Sequence, residues 1–186
     1  RILRTNGELI EIDNPNALPD PNDIEAMEEP YVDAMILVPK EYVGASIELC
    51  RERRGEFGDM QYPAPDRVMI TYKLPLAEII MDFFDSLKSR TRGYASFDYE
   101  FAGYRESKLS KLNIALNGEP VDALSFITHR DRAYSRAKVL VERLKDVIPR
   151  QQYEVRVQAS LGSKIIAAAS VRPYRKNVTA KCYGGD

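Results

Sequence analysis

Between Leu76 and Arg90 the apolar residues Leu76, Ile79, Ile80, Phe83, Phe84 and Leu87 recur at i, i+3, i+4, i+7, i+8 and i+11. On a helix that spacing gathers all six on one face, and a face of that width has to be buried against a sheet. Gly93 supplies the stop. Residues 34–38 form a continuous apolar run closed by Pro39, read as a buried strand. Residues 41–54 follow as a helix with Val43, Ile47 and Cys50 at helical spacing and Gly55 at its end. Residues 56–62 and 67–74 are expected as a hairpin across Pro63-Ala64-Pro65-Asp66, the second arm alternating through Val68, Ile70, Tyr72 and Leu74. After the striped helix, residues 94–101 make a last strand with Phe97, Tyr99 and Phe101 on one side. The order β-α-β-β-α-β predicts a ferredoxin-like sandwich over residues 30–106, with two helices on one face of an antiparallel sheet.

Residues 107–186 are read as a second small α+β domain. The pair Asn117-Gly118 marks a hairpin between strands at 112–116 and 121–128. A long helix runs over about 130–147 until Pro149 breaks it. Strands at 153–159 and 164–172, joined at Leu161-Gly162, complete a mostly antiparallel sheet carrying one helix. On that helix Ala133, Ala137, Leu140, Val141 and Leu144 take the inner stripe. Arg132, Arg136 and Arg143 share an outer one, with Lys138 and Lys145 beside it. Residues 1–13 read as two short strands around Asn6-Gly7, and the proline- and acid-rich stretch 14–29 as a linker. Together, 1–29 are expected to be the trailing edge of a preceding domain.

A net charge of −1 conceals an asymmetry. Residues 1–106 carry 12 cations against 21 acids, and residues 107–186 carry 15 against 7. The second part is therefore a basic domain whose local field attracts polyanions, although the whole chain is near neutral. Its end is the most basic stretch: Arg172, Arg175, Lys176 and Lys181 fall in the last sixteen residues with no acid before Asp186. Pro173 ends the strand before it, and Gly184-Gly185 loosens the backbone. A solvated tail and a phosphate contact both fit that pattern; the cations of the adjoining helix favour the contact.

No apolar run approaches the length of a membrane span, and the start Arg1-Ile2-Leu3-Arg4 lacks a signal-peptide pattern. The two cysteines, Cys50 and Cys182, follow no metal-ligand spacing and read as free thiols in a reducing compartment. No initiating Met is present and the chain stops after Gly-Gly-Asp, which suggests a piece of a longer protein. There is no Gly-x-x-x-x-Gly-Lys-Ser/Thr loop to cradle phosphates, so GTP binding is not expected here. The single histidine, His129, has no nucleophile or orienting acid at a recognisable spacing and is assigned to the geometry of the helix start or to a plain polar surface position, with Asp131 and Thr128 nearby as candidate caps. Asp82 and Asp85 are expected on a solvated helix face. No catalytic or metal site is expected.

Several motifs carry a resemblance. Glu29-Pro30-Tyr31-Val32, Val38-Pro39-Lys40-Glu41-Tyr42-Val43-Gly44 and Arg53-Arg54-Gly55 resemble the fifth domain of elongation factor G and its relatives. Arg92-Gly93-Tyr94-Ala95-Ser96, Asn117-Gly118-Glu119-Pro120, Ile127-Thr128-His129-Arg130, Ile148-Pro149-Arg150-Gln151-Gln152 and residues 175–186 resemble the LepA (elongation factor 4) family of translational GTPases, over essentially the whole chain. The resemblance implies a ribosome-associated factor that back-translocates tRNAs, with a role in initiation or subunit biogenesis as the other proposal. It places the GTP and Mg site in an N-terminal domain and a basic tail beyond Gly-Gly-Asp, both outside this sequence. It implies no cofactor in these residues, a monomer in the cytoplasm on ribosomes, and for some family members a peripheral place at the inner face of the membrane. The implied partners are rRNA and the acceptor arm of a tRNA. By position and charge, the implied contact residues are Arg172, Arg175, Lys176, Asn177 and Lys181, together with Arg130, Arg132 and Arg136. A protein-interaction scaffold whose cations merely solubilise it is the competing reading.

Overall fold

The computed structural model describes residues 1–174. The chain forms two compact units, one from Arg1–Ile10 with Ile24–Ser107 and the other from Glu11–Asp23 with the chain from Lys108 on.

The first unit opens on β1 (Ile2–Arg4) and β2 (Leu9–Ile10), an antiparallel pair turned at Gly7 with φ +87. β3 (Ile24–Pro39) is sixteen residues long and begins ten residues before the strand expected from the apolar run. Only Val32, Ala34, Ile36 and Val38 alternate into the core, which is the part the sequence displays. Its earlier half is held by pairing, with Met27 opposite Ile2 and Glu28 opposite Glu106. Residues 24–29 are thus strand and not linker.

A 3-10 turn (Lys40–Tyr42) leads into α1 (Val43–Glu52), which buries Ser46, Leu49 and Cys50. Gly55 follows because its backbone approaches that of Cys50 closely: an added Cβ would lie 2.6 Å from the Cys50 carbonyl oxygen. β4 (Glu56–Ala64) and β5 (Arg67–Pro75) form the expected hairpin, and β6 (Ser96–Glu106) returns beside β3. The order β4-β5-β3-β6 is antiparallel throughout, with Ile36 facing Ile70 on one side and Phe97 on the other. This is the ferredoxin-like α+β arrangement.

The helix between β5 and β6 departs from its stripe. It consists of α2 (Leu76–Glu78), a π-type turn (Ile79–Phe83) and α3 (Phe84–Arg90), broken where Met81 adopts φ −82, ψ −123 and Asp82 φ −104, ψ 17. The break resets the helical phase. Phe83 and Leu87 are fully buried, while Ile80 is 71% and Phe84 45% exposed, and the carboxylate residue Glu78 occupies a core position instead.

In the second unit, β7 (Leu109–Leu116) turns through Asn117 (φ 52) and Gly118 (φ 83) into the two-residue β8 (Glu119–Pro120). The single strand expected at 121–128 is split. A 3-10 turn (Asp122–Leu124), in which Ser125 Oγ donates to the Asp122 carbonyl, separates β8 from β9 (Phe126–His129). α4 (Arg130–Val147), β10 (Val155–Leu161) and β11 (Lys164–Val171) follow. The sheet runs β11-β10-β7-β8 with β9 also on β7, all antiparallel. Ala133, Ala137 and Val141 of α4 are buried against Leu112, Ile114, Val157 and Ala159, with Leu140 and Leu144 packed at the margin. The stretch Glu11–Asp23 joins this unit, where Asn16 Oδ1 accepts from Ser125 Oγ at 3.1 Å.

Candidate nucleic-acid interface

The passage from β9 into α4 is fixed by His129. Its Nδ1 accepts from the Asp131 amide at 3.1 Å and so caps one of the donors that a helix start leaves without an intrahelical partner. The cap is His129 itself, and neither Thr128 nor Asp131. Arg130 comes next; its side chain is exposed, and its Nε donates to Ser110 Oγ on β7 at 3.3 Å. Thr128 is buried because it serves Arg136, whose Nη1 donates to Thr128 Oγ1 at 2.8 Å while its guanidinium lies 4.8 Å from the centre of the Phe126 ring.

The expected outer stripe is therefore divided. Lys138, Arg143 and Lys145 are exposed, but Arg132 and Arg136 are half-buried. The hydrogen bond and the ring contact to β9 make Arg136 a clamp between helix and sheet before it is anything else.

Arg172 is exposed immediately after β11. It shares a recess with Lys145 and Asp146 from the last turn of α4 and with Pro149 and Arg150 from the loop beyond it. The Tyr174 amide donates to the Gln151 carbonyl at 2.9 Å, which ties the chain after β11 to that loop and holds Arg150 and Arg172 on one rim. Three cations from three segments thus meet with one acid. Sequence reasoning missed Arg150 and Lys145 as partners of this surface, because nothing in their spacing connects them to Arg172. Arg175, Lys176, Asn177 and Lys181 lie outside the described residues.

The cations at the end of α1 have structural duties. Arg53 is 8% exposed and its Nη1 meets Asp82 Oδ1 at 2.8 Å, so Asp82 is an ion-pair partner and not simply a solvated helix charge. Arg54, at φ 61, pairs with Glu29 and Glu78 in the interior. Among the described residues no group of three or more His, Cys, Asp or Glu is placed to hold a metal ion, and no helix is long and apolar enough to cross a membrane.

Residues 26–115 match the family model for the elongation factor G C-terminus, and residues 116–186 match that for the C-terminus of the GTP-binding protein LepA. Elongation factor 4 of Anoxybacillus flavithermus is 62% identical over 186 residues, which is all of this chain and 31% of the relative. The chain belongs to the LepA, or elongation factor 4, family. Elongation factor 4 of Shouchella clausii is 62% identical and that of Bacillus subtilis 60%, each over 185 residues and 30% of its length. The chain thus spans under a third of the curated relatives it matches, in a region that both family models describe as C-terminal. The recess of Lys145, Arg150 and Arg172 lies within the LepA-specific match, and the Glu29–Arg54–Glu78 cluster within the match shared with elongation factor G.

Proposed function

We propose that this region of a translation factor contacts the ribosome and the acceptor arm of a tRNA through its basic second unit, and that it does so in support of back-translocation. The observation that carries the reading is the convergence of Lys145, Arg150 and Arg172 on one recess; in the sequence, Arg175, Lys176 and Lys181 follow soon after Arg172. Cations gathered at one recess make a stronger local field for a polyanion than cations scattered over a surface, and each phosphate neutralised releases condensed counterions. Arg130, exposed at the opposite end of α4, is a separate candidate contact, as is the half-buried Arg132; Arg136 acts mainly by holding the helix on its sheet. GTP and Mg are assigned to parts of the factor outside these residues, and the working state to a cytoplasmic monomer on ribosomes.

The experiment is a titration of the chain with tRNA and with ribosomes at several salt concentrations. RNA contact gives an affinity that falls steeply as salt rises. A scaffold of the competing kind, docking through exposed apolar side chains such as Ile80, Phe84 and Phe101, gives binding that is nearly salt-independent and survives removal of RNA.

A further inference from the structure

We propose that the turn closing α3 is a stacking platform for an unpaired RNA base, a site on the first unit that goes beyond the phosphate contacts of the second. The platform is Tyr94. Its ring lies 6.1 Å from that of Tyr42, centre to centre, with the planes 16° apart, so Tyr42 supports it from one side. Tyr94 is still 58% exposed, which leaves aromatic surface open to a further planar group.

The backbone under this ring is firmly held. Thr91 is fully buried; its Oγ1 donates to the Leu87 carbonyl at 2.7 Å and accepts from the Ala95 amide at 3.2 Å. The Gly93 amide donates to the Lys88 carbonyl at 2.8 Å and the Tyr94 amide to the Thr91 carbonyl at 2.9 Å. This geometry places Gly93 at φ 79, which glycine adopts without penalty, and Arg92 at φ 50, which is strained for a residue with a side chain. Glycine or asparagine would fit position 92 with less strain, yet an exposed arginine stands there.

The turn that carries the ring has the sign of charge that RNA requires. Residues 88–94 hold three cations and no acid, within a part of the chain where acids outnumber cations 21 to 12. Arg90 is taken up by a two-bond pair with Glu52, at 2.7 and 3.2 Å. Lys88 donates to the Gly93 carbonyl at 3.3 Å and lies 5.4 Å from the centre of the half-exposed Phe84 ring. Lys88 and the exposed Arg92 thus bring positive charge to the turn that carries the exposed Tyr94 ring. A base can stack on the ring while its phosphate meets the guanidinium, and the base has to be unpaired because in a duplex both of its faces are covered by neighbours.

The test uses the 186-residue chain with an RNA hairpin carrying 2-aminopurine at an unpaired loop position, and a blunt duplex of the same length as comparator. Binding should quench the probe. Tyr94→Ala should weaken hairpin binding about tenfold, from a stacking contribution of roughly 1–3 kcal/mol per base, abolish the quenching and leave duplex binding unchanged. Tyr94→Phe should retain both signals. Arg92→Gly should weaken hairpin binding while the unfolding midpoint stays level or rises, which separates weakened recognition from a damaged fold. Tyr94→Ala should leave the salt dependence intact, whereas removal of Arg150 and Arg172 should lower it, so failure of either site is visible independently of the other. An equal weakening for hairpin and duplex, no weakening for either, or quenching that survives Tyr94→Ala overturns the proposal. Unchanged RNA affinity combined with abolished binding to RNA-free ribosomal proteins overturns it as well, and assigns the ring to a protein partner.

Discussion

Arg54, held at φ 61 just beyond α1, donates from both terminal nitrogens to the two carboxylate oxygens of Glu29 on β3, at 2.7 and 3.2 Å. The same guanidinium reaches Glu78 through Nε at 3.3 Å, and Glu29 also accepts from Ser107 Oγ at 2.7 Å. The side chains of Glu29 and Glu78 are only 6% and 2% exposed. One cation thus joins the long strand, the end of the first helix and the start of the broken one.

Removing that cation should be costly. Arg54→Ala leaves two carboxylates in the interior without it, and breaking a buried pair in this way typically costs roughly 3–5 kcal/mol. Arg54→Lys should lie between, since an ammonium cannot reproduce the two-bond fork. Urea unfolding of the three proteins checks this; a midpoint for Arg54→Ala equal to that of the parent chain refutes it.

Burial pushes the Cys50 thiol up from an ordinary 9.0 to about 12. Between those values the folded chain keeps a proton that the unfolded chain has released. The contribution is therefore complete below pH 9 and is lost as pH rises towards 12, by up to about 1.4 kcal/mol per unit. In a Cys182→Ser background, unfolding stability should fall over this range, and Cys50→Ala should flatten the fall. In the same background a thiol reagent at pH 8 should label the native chain slowly and the urea-unfolded chain fast.

Arg150→Ala with Arg172→Ala should weaken tRNA binding and reduce the slope of log affinity against log salt by roughly 0.7–0.9 for each phosphate no longer neutralised. Lys138→Ala with Arg143→Ala, two exposed cations on the same unit, is the charge-matched comparison. Adding Arg175→Ala and Lys176→Ala to the first pair should deepen its effect. Equal weakening by the two pairs means general charge, and the assignment to the recess fails. Arg53 and Arg54 cannot serve as the comparison, because their ion pairs hold the fold.

The chain should show no saturable binding of GTP, with or without Mg, in equilibrium dialysis. The expectation rests on the missing Gly-x-x-x-x-Gly-Lys-Ser/Thr loop, without which successive backbone amides do not converge on the phosphates. A saturable isotherm refutes it.

Residue spacing by itself determined the order of the elements, because burial of one face leaves a period that can be read. The alternation of Val68, Ile70, Tyr72 and Leu74 announced β5, the Ala133–Ala137–Val141 stripe announced α4, and Asn117-Gly118 announced the turn after β7. The basic character of residues 107–186 was equally plain, since charge can be counted along the chain. Tertiary structure decided whatever depends on a distant partner. The first half of β3 is strand because β1 and β6 pair with it, although the acids of residues 24–29 read as linker. Glu78 lies in the core because Arg54 neutralises it there, and the break at Met81 and Asp82 displaces Ile80 and Phe84 from a stripe that looked continuous. Arg136 became a clamp once Phe126 and Thr128 lay under it, and Arg150 became a neighbour of Arg172 only when the loop after α4 met the end of β11. Periodicity records which way a side chain faces, whereas an ion pair or a shared rim requires two parts of the chain to arrive at one place, and only the folded backbone contains that information.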